Sequence, residues 1–250
     1  SFPGASAVVS VANPDGNSSE EVIWRPGSAA PSIFAGGVVE GAVFQRAPFP
    51  ISGGAIVSVF GNFPGAAQQE AASFPLPSAL GNAAVTFNGV RAPLLFTSTG
   101  QINLVAPIRL LALERVRVAI TVSGQTSAAE TTSVAASGPG IFLNAFLPAG
   151  PVRRGETVMM FLTGLGDTVP PPVDGEPAPS DVLSPTVVGP LVTVGGAQTT
   201  VRFSGLAPGF SGLYQINFDV PAAAPTGADV PVTVTAGGRL SNTVRLVVEP

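Results

Sequence analysis

The 250-residue chain contains no histidine, no cysteine and no lysine, and all 11 of its basic residues are arginine. Each absence closes off a chemistry. Without histidine there is no Ser-His-Asp triad, and without cysteine there is no thiolate nucleophile and no disulfide. Without lysine there is no Schiff base, no P-loop lysine and no Lys–Asn isopeptide cross-link. Zinc and other soft-ligand metals lose their usual donors, so no metal and no cofactor is expected. Charge is scarce too: charged residues make up 10% of the chain, with a net charge of −4, where about 25% is usual. The arginines are scattered and form no basic patch, so nucleic acid is not expected as a partner. No apolar run of about 20 residues is free of Pro or Gly, so no membrane span is expected. Of the enzymatic routes, only a carboxylate pair drawn from the 15 Asp and Glu remains open, and the chain is read as a non-enzyme.

What is present points to a turn-rich β protein. Hydrophobic residues are 45% of the chain and mean hydropathy is +0.45, too apolar for a disordered segment. Thirty glycines and 26 prolines punctuate it, as in all-β folds with many short strands. The chain opens on Ser1 rather than Met, the form left by trimming such as signal-peptide removal. With its lysine-free, Ala/Gly/Pro/Thr/Ser-rich surface, this carries the expectation of a secreted or cell-surface protein.

The sequence repeats itself. Gly54-Ala55-Ile56-Val57-Ser58-Val59-Phe60 matches Gly155-Glu156-Thr157-Val158-Met159-Met160-Phe161 at an offset of 101. Val85-Thr86-Phe87-Asn88-Gly89 matches Val192-Thr193-Val194-Gly195-Gly196 at 107. Gln101-Ile102-Asn103 matches Gln215-Ile216-Asn217 at 114, each run continuing to a proline, Pro107 and Pro221. Val116 to Val122 matches Asp229 to Thr235 approximately. Four matches in one order mark two homologous domains, the second with longer loops.

Each copy reads as short alternating strands with Asn88-Gly89, Gly195-Gly196 and Gly237-Gly238 at hairpin turns. Leu110 to Arg115 has helical propensity, but the matching Ala222 to Ala228 contains Pro225 and Gly227, which argues against a helix. About seven strands per ~95 residues is the pattern of an immunoglobulin-like sandwich. The predicted fold is all-β: two tandem immunoglobulin-like sandwiches, at 32–137 and 138–250, preceded by an N-terminal extension at 1–31. Pro170-Pro171-Pro172 through Pro185 reads as a polyproline-like surface loop.

Two stretches carry a resemblance. Gly37-Val38-Val39 with Ile51 to Gly61, and Leu206-Ala207-Pro208-Gly209-Phe210-Ser211-Gly212-Leu213-Tyr214-Gln215-Ile216-Asn217 followed by Val220-Pro221, resemble a domain abundant in secreted acidobacterial proteins of uncharacterised function. The likeness covers roughly residues 36–249, and its layout is similar to bacterial Ig-like and IPT/TIG modules of surface proteins. It implies an exported pair of β-sandwiches and brings no catalytic residue. The first copy lacks the Ala-Pro-Gly-Phe-Ser-Gly stretch, having only Thr97-Ser98-Thr99-Gly100, so that loop is not a ligand site shared by both copies.

Several residue groups invite functional readings. Asn13, Asp15, Asn17, Ser19, Glu20 and Glu21 faintly resemble a calcium loop, but the full spacing is absent and a solvated turn is expected. Asp167, Asp174, Glu176 and Asp181 are expected to be solvated in the proline-rich loop. The amides of Gln101, Asn103, Gln215 and Asn217 are expected to satisfy neighbouring loop backbone while Ile102 and Ile216 face the core. Tyr214 is expected to be buried with its hydroxyl on a loop carbonyl, Trp24 to pack rather than stack on sugar, and Arg153-Arg154 to make an interdomain contact.

The N-terminal arm carries the assembly reading. Residues 5–11 alternate like a strand, with Ala5, Ala7, Val9 and Val11 on one face. A lone strand cannot satisfy its backbone groups, which leaves two readings open. One is a hairpin back to Val22–Trp24 across Asn13-Pro14-Asp15-Gly16; the other is addition to the sandwich edge of a neighbouring subunit. Repeated without closure, the second builds a homopolymer. The expected function is therefore a structural subunit of a non-covalent extracellular assembly, the alternative being an adhesion module for cell-surface or extracellular glycans.

Overall fold

The computed structural model describes residues 7–9, 22–24, 30–46 and 48–250, with backbone alone at 7–9, 22–24, Leu111 and Ala112. Ala7–Val9 (β1) and Val22–Trp24 (β2) form a two-stranded antiparallel sheet. The next strands are Ser32–Glu40 (β3), Ile56–Asn62 (β4), Gln69–Glu70 (β5), Ala83–Phe87 (β6), Val90–Arg91 (β7), Leu94–Thr97 (β8), Gln101–Val105 (β9), Arg115–Val122 (β10), Gln125–Thr126 (β11) and Glu130–Ser133 (β12). They form one sheet in the order β3-β4-β9-β8-β5 and a second in the order β11-β10-β6-β7, with β12 on β10. Then follow Gly140–Leu147 (β13), Val152–Arg153 (β14), Thr157–Thr163 (β15), Leu191–Val194 (β16), Ala197–Gln198 (β17), Val201–Leu206 (β18), Tyr214–Asp219 (β19), Gly227–Ala236 (β20), Arg239–Leu240 (β21) and Val244–Glu249 (β22). Their sheets run β13-β15-β19-β18 and β14-β22-β20-β16-β17, with β21 on β20.

These are two β-sandwiches of one topology. In each, a four-strand order corresponding to A-B-E-D of immunoglobulin domains faces a C-F-G order. The cores follow from alternation. Val57, Val59, Val85, Phe87, Ile102 and Leu104 are fully buried in the first sandwich, and Val158, Met160, Val192, Val194, Ile216 and Phe218 occupy the matching places in the second. A further equivalence lies in the closure of each sandwich. Ile51 bridges Val134 in parallel, and Val152 pairs with Val248 in parallel, again at offsets of 101 and 114.

The fourth sequence match needs a correction of one residue. Ile120 stands opposite Val85 and Val234 opposite Val192, so Val116 corresponds to Val230, not to Asp229. In a strand a slip of one exchanges the two faces, and the buried sets Val116, Val118, Ile120, Val122 and Val230, Val232, Val234, Ala236 admit only the corrected register. A second difference is local: Ile108–Ala112 forms a single 3-10 turn, where no helix was expected. It plugs Leu110 into the core before β10 begins at Arg115.

The two sandwiches meet along a hydrogen-bonded seam. Thr163, fully buried at the end of β15, accepts the Ile56 amide at 2.8 Å and donates to the Gly212 carbonyl at 2.9 Å. Gly212 has φ +72°, and a Cβ there would meet Ile56 Cγ1 at 3.0 Å and Val105 Cγ2 at 3.1 Å. The Ala-Pro-Gly-Phe-Ser-Gly stretch, which only the second copy has, thus meets the first sandwich at its last residue, Gly212. Ser137 Oγ donates to the Ala236 carbonyl, and the Gly138 amide donates to the Gly164 carbonyl. The Ser52 hydroxyl is buried near Gly164 and has no hydrogen-bond partner among the described residues.

The proline-rich loop is only partly a surface loop. Asp174 Oδ1 accepts the Ile108 amide at 3.0 Å, and the Gly175 carbonyl accepts the Leu76 amide at 2.8 Å, so its first half is strapped across the first sandwich. The physical reason is that Gly175 is buried against Leu76 and Pro93. The side chains of Asp167, Asp174, Glu176 and Asp181 remain exposed, as expected.

Two predictions follow from the seam and the core beside it. Gly212→Val introduces a left-handed β-branched residue, costing about 1–2 kcal/mol, and overpacks Ile56 and Val105 for about 1–3 kcal/mol more. Small-angle scattering should report a larger radius of gyration at an unchanged β-sheet circular-dichroism spectrum; identical scattering counts against the seam as the coupling element. Tyr214, the sole tyrosine, is buried and donates to the Gly166 carbonyl at 2.7 Å. Burial first, and the Asp167 charge second, push its phenol above the ordinary value of 10.0. The stability held by the neutral phenol is therefore complete below that value and lost as pH rises past it. Tyrosinate absorbance should appear only together with unfolding, and Tyr214→Phe should remove that part of the alkaline sensitivity. Reversible ionisation near the ordinary value in the folded protein would contradict this.

Candidate functional site

The candidate assembly residues divide between described and undescribed backbone. Ala7 and Val9 lie in β1, in register with Trp24 and Val22 of β2. Ala5 and Val11 lie outside the described residues, as do Asn13, Asp15, Asn17, Ser19, Glu20 and Glu21. The described pairing is thus between the two segments of the N-terminal extension itself, along three residues of each.

The repeated amides sit on the outer face of the A-B-E-D sheets. Ile102 and Ile216 are fully buried as expected, which turns Gln101, Asn103, Gln215 and Asn217 outward. Their partners were not expected. Gln101 Nε2 donates to Asn103 Oδ1 at 2.8 Å, and Gln215 Nε2 donates to Asn217 Oδ1 at 2.9 Å. The amides satisfy each other along the strand rather than loop backbone. A period of two sets residues i and i+2 side by side on one face, close enough for long amide side chains to bond directly.

The two faces then diverge. Ser58 of β4 stands beside Asn103 and donates to its Oδ1 at 2.9 Å; the equivalent strand position beside Asn217 is Met159. Phe60, beside Gln101, packs edge-on against Phe44 with centroids 5.1 Å apart. On the second sandwich the face ends in a polar cluster. Asp219 accepts Arg202 Nε at 2.8 Å and Thr157 Oγ1 at 2.8 Å. The Arg202 hydrogen bond first, then that of Thr157, holds the Asp219 carboxyl below its ordinary range.

Other sequence candidates resolve as structural. Arg153 lies 3.8 Å from Glu249, and Arg154 Nε donates to the Ala224 carbonyl at 2.8 Å. Both contacts stay within the second sandwich, not between domains, because β14 closes onto β22 there. Among the described residues, no three acidic side chains approach closely enough to hold a metal ion. Among those residues, too, no helix is long and apolar enough to cross a membrane.

No model of a known protein family matches the sequence, and no curated protein is similar to it at a significant level. Solved structures align with it over most of its length. SGBP-B of the Bacteroides ovatus mixed-linkage glucan utilization locus, solved with a mixed-linkage heptasaccharide, matches at 10% identity and a TM-score of 0.37. The alignment covers 96% of this chain and 51% of that one, so the chain spans about half of that protein's length. Domains 5–6 of the S-layer protein SbsC match at 14% identity and a TM-score of 0.25, covering 87% of this chain and 98% of that one. The tandem Ig repeats of Dlar match at 14% identity and a TM-score of 0.24, covering 88% and 98%. At these identities and scores, none of them assigns a role to the chain.

Proposed function

We propose that the chain is a non-enzymatic, extracellular structural protein, its sandwiches at 32–137 and 138–250 acting as one strut in a non-covalent surface assembly. The observation that carries this reading is the seam. Thr163 ties β4 to the loop before β19, the proline-rich loop straps onto the first sandwich, and Gly212 packs against Ile56 and Val105. Two modules coupled in this way transmit force and keep a fixed length, which a flexible tether does not.

The link between subunits is strand addition by the N-terminal extension. A two-stranded antiparallel sheet by itself is marginally stable at best. Its edge, unpaired among the described residues, offers backbone donors and acceptors to the edge strand of another sandwich. Each backbone hydrogen bond contributes about 1 kcal/mol net, and burying a valine adds about 1.5–3 kcal/mol. Disulfide and lysine isopeptide cross-links have no residues to form them. Export is supported by the lysine-free composition rich in Ala, Gly, Pro, Thr and Ser.

Negative-stain microscopy of the purified native protein should show ordered polymers, and deleting residues 1–12 should leave dispersed particles about the size of one chain. Dispersed particles from the intact chain would overturn the assembly. Normal polymers from the truncated chain would overturn the arm as its link.

A further inference from the structure

The outer face of the first sandwich carries a groove of about 600 Å³, lined by Glu70, Phe74, Leu76, Phe96, Gln101 and Asn103. Its floor is the amide pair of β9 and its far wall is the segment that follows β5. Asn103 Oδ1 already accepts two hydrogen bonds, from Gln101 Nε2 and Ser58 Oγ. Those bonds orient both amides and leave the Asn103 Nδ2 protons and the side-chain Oε1 of Gln101 without a partner among the described residues. A fixed donor and a fixed acceptor therefore stand side by side on a half-exposed face. Phenylalanine flanks them. Phe96 is half-buried beside Asn103, and Phe74 is 40% exposed on the opposite rim.

We propose that this groove binds a neutral oligosaccharide whose pyranose units present vicinal equatorial hydroxyls. Such a unit has an apolar C–H face to lay on a phenylalanine ring, and neighbouring hydroxyls that donate to one amide and accept from the other. Charge selects for neutrality. Among the lining residues there is no arginine, while Glu70 sets a carboxylate at the rim, which accepts from hydroxyls and repels polyanions. Size agrees as well. From β9 to β5 the groove crosses three strands set about 4.8 Å apart, room for roughly two sugar rings. The second sandwich repeats the amides as Gln215 and Asn217 but sets Met159 where Ser58 anchors Asn103, so it serves as a built-in control. The site stands whether or not the chain polymerises.

Calorimetric titration of the full chain with the β-1,4-linked tetrasaccharides of glucose and of xylose tests this, with tetragalacturonate as the anionic counterpart. Saturable binding with a Kd of about 10 μM to 1 mM is expected for at least one neutral probe and none for the anionic one. Asn103→Ala and Phe96→Ala should each weaken it by about tenfold or more, and Asn217→Ala should leave it unchanged. Phe74 lies outside every strand and outside both cores, so Phe74→Ala gives a folded variant in which the same loss is expected. The proposal fails if no neutral probe saturates by about 10 mM, if the anionic probe binds as well, or if binding survives Asn103→Ala and Phe74→Ala.

Discussion

A buried hydroxyl sits at the centre of the contacts between the two halves of this protein. Thr163 accepts a hydrogen bond from the Ile56 amide of one sandwich and donates one to the Gly212 carbonyl of the other. Both ends of that bridge are backbone groups that would otherwise be stranded at the junction of two cores, where an unpaired group costs about 1–3 kcal/mol. The neighbouring features depend on it. Gly212 must be glycine to let the loop approach, and the proline-rich loop can strap onto Ile108 and Leu76 only because the sandwiches are held together.

Duplication gave one topology two uses. The strands correspond pair by pair, including the parallel closure of Ile51 on Val134 and of Val152 on Val248. The divergence lies in loops and outward positions, which the cores do not constrain. The second copy spends its loop before β19 on the seam. The first spends the segment around β5 on a wall beside its amides. Ser58 and Met159, equivalent in the repeat, show how one outward residue changes what a face offers.

Ion pairs play little part in holding the molecule together. The described ion pairs, Arg153–Glu249, Arg202–Asp219 and Arg245–Asp229, all have exposed arginines, and pairs of that kind contribute little. Stability rests on the two apolar cores and on backbone ladders. This suits a chain in which only one residue in ten is charged, and whose polar surface is built largely from hydroxyls and amides.

Local signals were legible in the sequence because their causes are local. Alternation at Val116, Val118, Ile120 and Val122 sets a buried face whatever the surroundings, turn glycines mark hairpins, and the ordered matches expose the duplication. Burial of Ile102 and Ile216, and the outward turn of the amides between them, follow from a period of two. The register of the last match was off by one residue, although Val230, Val232 and Val234 repeat the alternation of Val116, Val118 and Ile120 at the offset of 114 that Gln101 and Gln215 already set. The facing strands bear out that register. What covers a face, and what touches across a junction, depends on residues far apart in the chain. Asp174 meets Ile108 across 66 positions, and Thr163 meets Ile56 across 107. No periodicity encodes such contacts, and only the tertiary structure decided that the proline-rich loop is a strap, that Arg153 and Arg154 stay within one sandwich, and that the amides bond each other beside a groove.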